Sequence, residues 1–168
     1  MKFLFIISLL FSTTSSPNIS YFRKLFAESS TNEMMAKVLL QDGEKYSSQS
    51  IVYNGYYGAG KMIMAKYYLN PYSKLSSFSE GKSILESSIE KDTANVELRY
   101  LRLTIQNNAP SFLGYKSKVD DDRNFLTSSL SKLKDEELKT IISKYLQQWL
   151  VKKQEKIFWF LLTRMTIL

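Results

Sequence analysis

The stretch VELRYLRLTIQN, Val96 to Asn107, constrains the fold more than any other part of the chain. On a 3.6-residue repeat, Val96, Tyr100 and Leu103 fall on one line, and Leu98, Leu101 and Ile105 on roughly the opposite one. Arg99, Arg102 and Gln106 form a polar stripe between them. A helix with one apolar line can rest on a surface. A helix with two must be covered from both sides, as the middle member of a stack is. No segment shows the sustained alternation that a half-buried strand needs. With 6 glycines and 3 prolines in 168 residues, against 11 tyrosines and 10 phenylalanines, breakers are few and large apolar groups many. The expectation is an all-α fold of stacked antiparallel helix pairs, either a superhelix or an irregular bundle.

Local signals divide the chain further. Ser30-Thr31-Asn32-Glu33 has the form of a capping box, and Met34, Met35, Val38 and Leu39 follow at helical spacing. Asp42-Gly43 reads as the stop of that helix. A longer helix is expected from about Gln49 to Tyr68, ended by Asn70-Pro71 because the residue before proline avoids helical angles. Ser77-Phe78-Ser79-Glu80 reads as a second capping box, opening a helix to about Lys91 whose inner face is Ile84, Leu85, Ser88 and Ile89. Asn95 caps the helix that follows, and Ala109-Pro110 ends it. A further helix is expected near Val119–Lys132. Asp135 caps the last one, with Glu136 and Glu137 suited to its first turn.

Within this pattern, GKSILESSIEKDTANVE (Gly81 to Glu97) resembles the second helix and turn of a tetratricopeptide repeat. Gly81, Leu85 and Ser88 stand at the small, large and small places of that motif, and Asp92 and Asn95 match its turn, with Thr93 where the family has proline. Tyr72 is the residue available for the aromatic place of the motif's first helix. The resemblance implies stacked helix pairs and a role in holding a protein or peptide on a concave face.

The two ends differ from the middle. MKFLFIISLLFSTTSS has one lysine, a short apolar run and a zone of small hydroxyl residues, the layout of a secretory signal, so residues 1–16 are expected to direct export. Residues 17–150 form the expected domain. Residues 151–168 turn basic and then apolar, with IFWFLL too short to span a bilayer. Three readings of that tail stand: a helix that packs on the core, a stretch foreign to the domain, or an interfacial helix with Lys152, Lys153 and Lys156 towards lipid phosphates.

The chain has no cysteine and no histidine, which removes Cys/His zinc sites, cysteine nucleophiles and Ser-His-Asp triads. GYYGAGKM (Gly55 to Met62) is one residue short of a phosphate-binding loop, since Met62 stands where the magnesium-binding hydroxyl belongs. Helical spacing runs straight through it, so Gly55 and Gly58 are expected inside a helix, near another backbone. Asp120, Asp121 and Asp122 lack calcium-loop spacing. Glu80, Glu86 and Glu90 read as solvated charge. The net charge of +7 is spread along the chain, without the basic block a nucleic-acid site would show. The candidate binding residues are Arg99, Arg102 and Gln106 for an anionic group, and Tyr53, Tyr57 and Tyr67 for a peptide groove. No catalytic residue, metal or cofactor is assigned. The expectation is an exported, non-catalytic adaptor for a protein or peptide, with membrane-surface attachment through residues 151–168 as the first alternative and an enzyme using a pair of carboxylates as the second.

Overall fold

The computed structural model describes residues 17–165, so the expected signal segment lies outside the described residues. The elements are α1 (Ile19–Ser29), α2 (Glu33–Tyr46), α3 (Ile51–Met64), α4 (Pro71–Lys91), α5 (Val96–Asn108), α6 (Val119–Ser129) and α7 (Glu136–Met165). Short 3₁₀ turns follow α5 and α6, at Ser111–Leu113 and Leu130–Lys132. The fold is all-α, with no strand among the described residues.

Four of the expected boundaries shift: α3 ends at Met64 rather than near Tyr68, and the other three move for local reasons. The N-cap of α2 is Asn32, whose side chain accepts from the Met35 amide at 3.2 Å, while Ser30 closes α1. Asp42-Gly43 does not stop α2, which continues to Tyr46. Gly43 is there for space: a Cβ on it would lie 2.8 Å from the Tyr57 Cα. The Ser77 box does not open a helix either, because α4 already begins at Pro71. Asn70 accepts from the Tyr72 amide at 2.8 Å, and Pro71 occupies the first turn, where its missing N–H costs nothing. Ser77 therefore sits inside α4 and donates to the Lys61 carbonyl of α3 at 2.8 Å. Tyr72 belongs to this same helix rather than to the one before it, and it is exposed.

Consecutive helices pack against each other, and α3 lies at the centre, against α1, α2, α4 and α5. GYYGAGKM is part of it, and its glycines set the approach distances. A Cβ on Gly58 would meet the Gly81 carbonyl oxygen at 2.7 Å, and one on Gly60 would meet the Leu40 Cα at 3.1 Å. Gly55 faces a side chain instead, with the Leu98 methyl 2.2 Å from the position a Cβ would take.

The odd-numbered helices run parallel, as their paired contacts show. Phe22 and Phe26 of α1 meet Tyr53 and Tyr56 of α3 in that order. Arg23 and Phe26 meet Glu97 and Tyr100 of α5. Tyr145 of α7 packs edge-on to Tyr100 at 5.6 Å and accepts from Asn107, about two turns beyond the level at which α7 begins near Arg23. Aromatic rings from four helices thus form one column through the core. Leu39, Leu85, Leu98, Leu101 and Leu126, all without exposed surface, fill the space around it.

Helix α7 starts as expected, with Asp135 accepting from the Leu138 amide at 3.0 Å. Leu138, Ile142 and Leu146 are buried, and Leu150 and Val151 are exposed. The backbone stays helical to Met165.

Candidate functional site

The polar stripe of α5 lies against α4 and α6. Asp122, in the first turn of α6, has no exposed surface. The Arg102 guanidinium donates to both its oxygens at 2.7 Å and to Glu86 of α4 at 2.7 Å. Arg99 donates to Asp122 at 3.1 Å and to the Thr93 carbonyl at 2.8 Å. Tyr115 closes the set by donating to Glu86. Burial opposes the charge on Arg102, but its hydrogen bonds to Asp122 outweigh that and raise its pKa. Burial, then the Glu86 carboxylate, pushes the Tyr115 hydroxyl up. Gln106 lies fully buried at the end of the stripe, with no hydrogen-bond partner for its amide among the described residues. The arginines nominated for an external anion thus already hold an internal one.

The three aspartates of the α6 start diverge. Asp120 pairs with Arg123 at 2.5 Å, Asp121 with Lys118 at 3.2 Å, and Asp122 faces inward. No His, Cys, Asp and Glu grouping suited to a metal occurs among the described residues.

A second network was not legible in the sequence, because Arg23 and the carboxylates it binds lie more than seventy positions apart. Arg23 of α1 is buried and donates to Glu97 through two nitrogens at 2.9 Å. It also reaches Asp135 at 2.6 Å and Glu137 at 2.7 Å. Tyr56 donates to the same Glu97 oxygen at 2.7 Å, and Ser20 donates to Glu137. Burial works against the Arg23 charge, and the bonds to Glu97, Asp135 and Glu137 more than offset it. The bond from Arg23 holds Asp135 below the usual carboxylate range, and the bonds from Ser20 and Arg23 do the same for Glu137. Burial, then Glu97, pushes Tyr56 well up.

The candidate tyrosines do not converge. Tyr53 donates to the Pro17 carbonyl at 2.8 Å, at the start of α3. Tyr67 donates to the Ser29 carbonyl at 2.9 Å, beyond the opposite end of α3. Tyr57 lies between them in a strip at the surface. Its hydroxyl donates to Glu44 of α2 at 3.3 Å, and the Lys61 ammonium stands 5.6 Å from its ring centre. Lys61 in turn donates to Glu80 of α4 at 2.6 Å, a bond that raises the lysine and lowers the carboxylate. The lysine of the phosphate-loop-like stretch is therefore one link in a strip running across three helices.

Comparison of the chain with family models, with curated proteins and with solved structures gave no match to any of them. The class rests on the geometry alone: an all-helical stack of consecutively packed helices, with its buried charges paired to one another.

Proposed function

We propose that the chain is an exported, non-catalytic adaptor, a tetratricopeptide-like helical scaffold that holds a protein or peptide partner. One observation carries this reading. The carboxylates that acid–base chemistry would need are committed to fastening helices: Glu86 to Arg102 and Tyr115, Glu97 to Arg23 and Tyr56, Asp122 to two arginines. What faces outward across α2, α3 and α4 is a recognition-type mixture of Glu44, Tyr57, Lys61 and Glu80, with a tyrosine at its middle. The test is capture of a partner from the exported fraction by the native chain, repeated with Tyr57→Ala and Lys61→Ala. A stoichiometric partner that both substitutions weaken supports the adaptor reading. A bait that returns alone refutes it.

A second reading, attachment to a membrane surface, is favoured by a separate observation. The large exposed apolar side chains gather at the end of the bundle from which α7 projects.

A further inference from the structure

Parallel odd-numbered helices place all their C-terminal turns at one end. That end holds the α1–α2 turn, the α3–α4 turn and the segment after α5. Lys66 and Tyr67 cross-link the first two of these, donating to the carbonyls of Ser30 and Ser29. Met34, Leu69, Tyr72, Leu75 and Phe112 all stand there, with Leu69 96%, Phe112 85% and Tyr72 80% exposed. Leu150, also exposed, marks the level at which α7 clears the end of α5. Tyr21 is the one large apolar residue exposed elsewhere among the described residues, and its hydroxyl is bound to Asp42 at 2.6 Å. From Val151 to Met165 the helix runs on for roughly 20 Å past this end.

We infer that this end of the bundle docks on an anionic lipid surface, with the turn tips carrying Leu69, Tyr72 and Phe112 set into the headgroup region. The inference rests on the membrane-surface reading and adds the contact face and the orientation. Two features select lipid over another occupant. The apolar side chains are spread over three separate turns, and only Tyr72 and Leu75 share a shallow open groove on the side of α4, whereas a protein partner needs a contiguous, closely fitting core. A headgroup layer accepts isolated apolar tips without any pocket. The charge also fits. Lys66 and Lys74 lie among Leu69, Tyr72 and Leu75, and exposed Lys116 follows Phe112, against Glu28 and Glu33 beside the α1–α2 turn, while Asp120 and Asp121 at the start of α6 are paired with Arg123 and Lys118. The sequence beyond Leu150 adds Lys152, Lys153 and Lys156 against Glu155. Those lysines complement lipid phosphates and would repel the same end of a second copy. No helix among the described residues is long and apolar enough to cross the bilayer, so the contact is peripheral.

The absence of cysteine makes the test clean. Full chains carrying Phe112→Cys, or Ala94→Cys in the α4–α5 turn at the other end, are labelled with a polarity-sensitive dye. They are mixed with vesicles of phosphatidylcholine alone or with added phosphatidylglycerol. The expected result is flotation with the anionic vesicles only, a blue shift of the dye at position 112, and none at position 94. Leu69→Ser combined with Tyr72→Ser, both at exposed positions, should lower partitioning at least about tenfold with helix content unchanged. A chain that stays in the lipid-free fraction overturns the membrane reading and the inference together. A chain that floats with its dye at 112 unshifted, or with the serine pair partitioning normally, overturns the docking end alone. A shift at 112 that needs high protein concentration and no lipid assigns the end to self-association and overturns the inference.

Discussion

Alanine at Gly81 sets two effects of opposite sign against each other. On an isolated helix the change should stabilise by about 1 kcal/mol, because glycine loses more backbone freedom than alanine. In the folded chain the added Cβ would lie 2.4 Å from the Gly58 carbonyl oxygen, 2.8 Å from the Lys61 Cβ and 2.9 Å from the Met62 Cγ. The first two atoms belong to backbone or to the base of a side chain, so neither can swing away. Restoring ordinary contact requires α3 and α4 to part by about 1 Å along their most extensive interface. Overpacking of this kind costs about 1–3 kcal/mol, and the rigid neighbours place it at the upper end. Subtracting the propensity gain leaves a loss of about 2 kcal/mol. For a chain of this length that lowers the melting temperature by about 4–8 °C. Thermal and urea unfolding followed by circular dichroism measure it directly. A variant as stable as the parent, or more stable, would mean that propensity governs the position and that α3 and α4 are not held at glycine distance.

Arg23→Met should cost about 3–5 kcal/mol in urea unfolding, because it leaves Glu97 buried without its cation. Arg23→Lys should fall between the two, since an ammonium cannot reproduce the forked bonds. Asp122→Asn should also destabilise, by about 2–4 kcal/mol, with Arg102 retaining Glu86 as its remaining carboxylate. Stability should fall on acidification. The folded state holds Asp135 and Glu137 below their ordinary values, so the stability they lend is complete above about pH 5 and disappears as pH drops through the folded values. Urea midpoints measured from pH 6 downward should show that loss (on the order of two pH units wide), with a shallower slope in Arg23→Met.

What could be read from the sequence was local and periodic. The two apolar lines of α5 gave its double-sided packing, and the unbroken spacing through GYYGAGKM placed Gly55 and Gly58 inside α3. Asn95 and Asp135 announced their caps because both lie directly before an amphipathic run. Distances between segments were not readable. Asp42-Gly43 carries a stop signal, and only the approach of Tyr57 shows that its glycine serves packing. Ser77 matches a capping box, yet its hydroxyl is used by a carbonyl on another helix. Arg23 looks like any basic residue in ISYFRKLF, and its three carboxylates lie more than seventy positions away in the chain. The tyrosines share a sequence segment but reach opposite ends of one helix.

The Arg23 contact also decides how the stack behaves as a whole. In a linear repeat array each unit touches its neighbours only, so the ends can fray while the middle stays folded. Here a side chain from the first helix reaches α5 and the start of the last helix. The aromatic column joins the same three helices, and α3 with them, through Phe22, Phe26, Tyr56, Tyr100 and Tyr145. Loss of α1 would expose Glu97 and open that column, so no end can separate without disrupting the centre. Residues 17–150 should therefore unfold in a single step. Far-ultraviolet circular dichroism, which reports the helices, and near-ultraviolet signals from the packed tyrosines should trace the same urea transition. Arg23→Met should shift both curves together. A tyrosine signal lost at lower urea than the helical one, in the parent chain, would show that the ends melt separately, and the clasp would then be an ornament on a modular array rather than what closes it.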